Sequence, residues 1–79
     1  MVVPGDEKIQ LWKVAFHLAT YQLEIAESRE ERLKLFREMN ESIEGTMEIL
    51  AKRGDHVRVD RLMAVRRRVR EENSRELYN

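Results

Sequence analysis

Cysteine is absent from this 79-residue chain, which excludes disulfides and thiolate-held metals. Proline occurs once, at Pro4, and glycine three times, at Gly5, Gly45 and Gly54, so few residues interrupt helical structure. Charge of one sign is not in excess: 15 basic residues face 15 acidic ones, and net charge by itself points to neither a polyanion partner nor an acidic tail. The opening residues Met1 to Asp6 have no basic stretch followed by an apolar run, so no signal peptide is expected. In the first helical segment the longest unbroken apolar run is Val14-Ala15-Phe16, far short of the ~20 residues that span a bilayer. A cytoplasmic protein without membrane contact is the expectation.

These absences leave a small chain with few ways to stabilise itself. One domain of this size has a marginal core, and natural domains of similar length often add disulfides, metals or partner chains. Association with further copies is the remaining device, so a homo-oligomer is expected.

Helical periodicity dominates what is present. At ~100° per residue, Tyr21, Val14, Ile25, Leu18, Leu11, Ala15, Ala26, Ala19, Trp12, Leu23 and Phe16 occupy an arc of about 220° on a helix over residues 6–27. An ordinary surface helix buries little more than ~100°. Helix 1 is therefore expected to be covered on two sides and to stand at the centre of the fold. Ile9, Trp12, Phe16, Ala19, Leu23 and Ala26 form a heptad seam. Leu11, Ala15, Leu18, Gln22 and Ile25 form a second seam about 100° away.

Asp6 reads as the N-cap of helix 1. Ser28 and Glu31 have capping-box spacing. Helix 2, residues 29–53, follows with Leu33, Phe36, Asn40, Ile43, Met47 and Leu50 in a heptad frame of its own. The change of frame and the capping box favour a turn at Glu27-Ser28 over one continuous helix. Gly45 interrupts helix 2 at a cost of ~1 kcal/mol relative to Ala and marks a close contact or a bend. Gly54 reads as a helix stop and Asp55 as the cap of helix 3, residues 56–75. Val59, Leu62, Met63, Val65 and Val69 give helix 3 a weaker apolar face, and the last ten residues are expected to project or fray. Short connections and matched helix lengths of ~30–37 Å favour antiparallel neighbours. The fold class read from the sequence is an all-α, three-helix, up-down-up bundle, oligomeric, in a single domain.

No reaction can be read from the residues. His17 and His56 each lack a second ligand at i+3 or i+4, the spacing of helical metal motifs. Glu41, Glu44 and Glu48 line one face of helix 2, but they stand at ion-pair spacing from Lys52 or Arg37 and define no pocket to separate their pKa values. Arg53-Gly54-Asp55 matches an adhesion tripeptide, yet a helix stop followed by a cap explains it. No catalytic, cofactor-binding or metal-binding residue is assigned, and no cofactor is expected.

The reading is a non-enzymatic structural or regulatory module that self-associates through helices 1 and 2. Trp12, Phe16, Leu18, Leu23, Ile25, Phe36, Ile43 and Leu50 would make its core and oligomer interface. Gln22 and Asn40, amides on apolar faces, would set register by bonding to each other or to their symmetry mates. Helix 3 carries seven arginines, Arg58, Arg61, Arg66, Arg67, Arg68, Arg70 and Arg75, and no lysine. Arg61, Arg68 and Arg75 fall seven apart and would form an exposed stripe for a protein partner. The runner-up is a small nucleic-acid-associated regulator of phage or mobile-element type, with the same stripe on the phosphate backbone. Three features disfavour it. Glu71 and Glu72 stand at i+4 from Arg67 and Arg68, no aromatics interleave with the arginines, and helices 2 and 3 are too long for a helix-turn-helix.

Overall fold

A computed structural model describes residues 5–78. Pro4, the single proline, lies outside the described residues. Three helices follow one another: α1 spans Asp6–Ile25, α2 spans Arg29–Lys52 and α3 spans His56–Tyr78. Among the described residues there is no strand. The caps explain where each helix begins and ends. Ser28 accepts a hydrogen bond from the Glu31 amide at 3.1 Å, and Ala26 turns to an extended conformation, so α1 and α2 are separate helices.

At the far end of α2, Gly54 adopts φ +76°. Its amide donates to the Ala51 carbonyl, and the Asp55 amide reaches back to the Leu50 carbonyl, both at 3.0 Å. This is a Schellman termination, which a residue with a Cβ adopts only with strain. Asp55 then accepts from the Arg58 amide at 3.2 Å and starts α3. Asp6 does not cap α1. Gly5, at φ +92°, is the capping residue and makes no side-chain bond. The Asp6 carboxylate instead pairs with Arg53 Nη2 at 2.7 Å, tying the start of α1 to the end of α2.

The helices run up-down-up. Asp6 meets Arg53, and Arg32 near the start of α2 meets Glu76 near the end of α3, so each sequential pair is antiparallel. The central helix is α2, not α1. Both neighbours pack on α2, and α1 and α3 do not approach each other. The result is a flat layer, 44 × 21 × 13 Å.

Helix 2 can hold two neighbours because small residues widen the face it offers. Trp12 of α1 lies against Gly45, where an added Cβ would stand 2.5 Å from the indole ring. Ser42 is buried nearby and satisfies its hydroxyl on the Glu38 carbonyl at 3.0 Å. The buried cluster comprises Ala19 of α1, Leu35, Phe36, Met39 and Ile43 of α2 and Val69 of α3. Gly45→Ala should accordingly lower stability by about 1–3 kcal/mol, since overpacking against Trp12 outweighs the ~1 kcal/mol gain in helix propensity. Chemical denaturation checks this, and a more stable variant would show that the indole moves aside freely.

The end of α3 does not fray. Arg32 Nε and Nη2 both donate to Glu76 Oε1, at 2.9 and 2.7 Å, and Arg29 donates to the Leu77 carbonyl. The hydrogen bonds from Arg32 hold the Glu76 carboxyl below its ordinary range, and the same pairing raises Arg32. Two arginines of α2 thus supply the docking that the apolar pattern of helix 3 lacks.

Candidate interaction surfaces

The structure divides the expected interface residues into three groups. Phe36, Ile43 and Leu50 of α2 are buried within the single chain. Trp12, Phe16 and Leu23 are half-buried on the α2-facing side of α1. Leu18 and Ile25 point to solvent. The apolar surface of α2 is consumed internally, so an outward interface built from apolar seams has to come from α1.

That outward face is extensive. Ala19 is the one fully buried residue of α1. Leu11, Val14, Leu18, Tyr21 and Ile25 remain 69, 62, 53, 63 and 63 % exposed. Their steps of 3, 4, 3 and 4 make a heptad seam. It extends over ~21 Å at ~1.5 Å per residue. Val14 and Tyr21 belong to this seam in place of Ala15 and Gln22, which lie one position along and flank it. The pattern was available in the sequence, but the alternative seam hid it because both run along the same broad arc.

Gln22 and Asn40 do not meet. Gln22 lies between α1 and α2, beside Glu38 and Glu41, while Asn40 faces α3 beside Leu33, Asn73 and Leu77. The Asn40 side-chain oxygen is buried without a hydrogen-bond partner among the described residues. An unpaired buried acceptor costs about 1–3 kcal/mol. We expect Asn40→Leu to raise the urea midpoint, by about 1 kcal/mol of stability on that scale, and to leave the oligomer mass unchanged. A drop in stability would mean that the amide has a partner, such as an ordered water.

On α3, Arg61, Arg68 and Arg75 are exposed, and none forms an ion pair among the described residues. The i,i+4 pairs expected from Arg67 and Arg68 to Glu71 and Glu72 are not formed either. Other arginines are engaged: Arg66 and Arg70 reach Glu44 of α2 at 4.0 and 3.7 Å, and Arg58 reaches Asp55 at 3.3 Å. Of the α2 carboxylates, Glu48 pairs with Lys52 at 3.3 Å, while Glu44 turns to α3. The tripeptide at 53–55 is absorbed by the Asp6 pair, the helix stop and the α3 cap.

Among the described residues no cluster of three or more histidines and carboxylates could hold a metal. No described helix is long and apolar enough to cross a membrane. No protein-family model matches the chain, and comparisons with curated proteins and with solved structures return no significant match.

Proposed function

We propose that the chain is a non-enzymatic helical interaction module that self-associates through α1. The observation that carries this reading is the exposed seam Leu11-Val14-Leu18-Tyr21-Ile25. Isolated exposed apolar residues are ordinary, but a contiguous stripe of large ones marks an association surface. The seam consists of uncharged residues in heptad spacing, the pattern that another helix covers by knobs-into-holes packing.

A second copy is the occupant that the flanking residues suit. One flank carries Gln10, His17 and Glu24, the other Lys8, Ala15 and Gln22. Neither flank holds a block of one sign, and Glu7, which continues the seam beyond Leu11, stays apart from its counterpart when the copies pair antiparallel, so two copies can lie face to face in that orientation without like-charge repulsion and no strongly charged partner is called for. If the copies pair antiparallel, Gln10 stands opposite Glu24 of the other copy and Lys8 opposite Gln22.

Size exclusion with light scattering, read at 260 and 280 nm, tests the proposal. The expected result is a multimer of the 9.5 kDa chain, free of nucleic acid and little affected by salt. A monomer at micromolar concentration would overturn it.

One observation favours a second reading. Arg61, Arg68 and Arg75 are exposed and have no carboxylate partner among the described residues. A nucleic-acid-associated regulator would use them on phosphates and would show steep weakening with salt. Excess absorbance at 260 nm would put that reading first.

A further inference from the structure

The two outer helices leave an apolar groove between them. Its floor is Ile43 and Leu50 of α2, and its walls are Trp12 and Phe16 of α1 and Leu62 and Val65 of α3. It encloses about 340 Å³, roughly twice the ~150 Å³ of an apolar cavity that accepts benzene. This groove opens on a different side of α1 from the exposed seam. At ~100° per residue Trp12 and Phe16 lie roughly 140° and 180° from the mean direction of the seam. A dimer held by that seam therefore leaves the groove free.

The rim is basic on both banks. Lys13 and His17 stand on the α1 side, Arg61 and the Asp55-paired Arg58 on the α3 side, and no carboxylate among the described residues lines the groove. Lys13 and Arg61 form no ion pair among the described residues. Arg68, seven residues beyond Arg61, continues the same line of α3.

We infer that this groove docks an acidic amphipathic helix of a partner protein. Shape and charge select that occupant. Two helices that run parallel to each other, held apart on a third that runs against both, leave the position that a fourth helix fills in a four-helix bundle. From Ile9 to Phe16 and from Arg58 to Val65 the groove is ~10 Å long, which suits apolar anchors spaced i, i+4 and i+7. Carboxylates on both flanks of such a helix would meet Lys13 and His17 on one bank and Arg58 and Arg61 on the other. The exposed α1 seam of a second copy does not have this character, because its carboxylates are Glu7 at the N-terminal end and Glu24 on one flank, and the other flank, Lys8, Ala15 and Gln22, holds none.

Trp12 is the chain's single tryptophan and reports directly on the groove. The probe is a synthetic 18-residue helical peptide with leucines at i, i+4 and i+7 and glutamates on both flanks, compared with the same peptide carrying lysines. Titration is done on the whole chain and, to remove self-association, on Leu18→Glu. The expected result in both is a saturable change in Trp12 emission with the glutamate peptide, at least tenfold tighter than with the lysine peptide in low salt. The double variant Lys13→Glu/Arg61→Glu should abolish or reverse that preference. Equal affinity for the two peptides, or an unmoved Trp12 signal, overturns the inference, and this comparison stands even if the double variant fails to fold. A Trp12 response to laurate or to phosphatidylglycerol vesicles, with none to the glutamate peptide, overturns it in favour of an anionic lipid. Failure of self-association in light scattering leaves this result readable, since the Leu18→Glu titration does not depend on it.

Discussion

Leu18→Glu should convert the multimer to a monomer while leaving helicity intact. Leu18 is the middle residue of the outward seam and lies more than half in solvent within the single chain, so a carboxylate there costs the monomer little. At a paired seam the same change removes about 1 kcal/mol of further apolar burial, because only the exposed half of Leu18 remains to be covered, and places an unpartnered polar group in the contact at about 1–3 kcal/mol. In a symmetric dimer both losses occur twice. A total loss of about 4 kcal/mol or more corresponds to at least a thousandfold in Kd. Light scattering should report the mass of one 9.5 kDa chain, and the far-ultraviolet circular dichroism should be unchanged. The melting temperature of the parent chain should rise with protein concentration, and that of the variant should not, because only the parent is linked to association. A variant that remains multimeric would locate the interface elsewhere.

Phe36→Ala should have the largest effect on folding. Phe36 sits in the buried cluster with Ile43, Met39 and Val69, to which α1 adds Ala19 from the other side of α2. Truncating a buried phenylalanine costs about 3–5 kcal/mol, part from lost transfer energy and part from the cavity that remains. A chain of this length has roughly 4–12 kcal/mol in total, at 0.05–0.15 kcal/mol per residue. The variant should thus lose most of its cooperative unfolding transition at 25 °C, and helical ellipticity should fall with it. If the ellipticity and the urea midpoint both stay near those of the parent, the cluster is not the core of the fold.

The two variants separate the roles that the sequence placed together. Phe36 and Leu18 both belong to heptad frames, and spacing alone assigns them to one combined core and interface. In the structure one is enclosed by its own chain and the other is not. The same distinction explains the groove. Trp12 and Phe16 belong to the inward seam of α1, yet α3 stands too far away to cover them fully, and they become the wall of a cleft.

Much of the local structure was legible in the sequence because it is written in short-range chemistry. Ser28 with Glu31, and Gly54 followed by Asp55, specify turns through hydrogen bonds within a few residues. Heptad spacing specifies three helices and the faces they would bury. The close contact suspected at Gly45 is a tryptophan ring on the backbone of α2. Other readings needed partners far away in sequence. The end of α3 looked unsupported because its anchors, Arg29 and Arg32, lie more than forty residues earlier. Asp6 looked like a cap until Arg53 was brought beside it.

The sequence by itself determined three antiparallel helices, their caps and an excess of apolar surface on the first. Tertiary packing decided which helix became central. Burial of apolar area is non-directional, so a broad apolar arc states how much surface seeks cover without naming what covers it. Close approach depends on steric room, and Gly45 and Ser42 provide that room on α2. Helix α1 therefore packs on α2 by one side, and its other seam, Leu11 to Ile25, stays open at the surface.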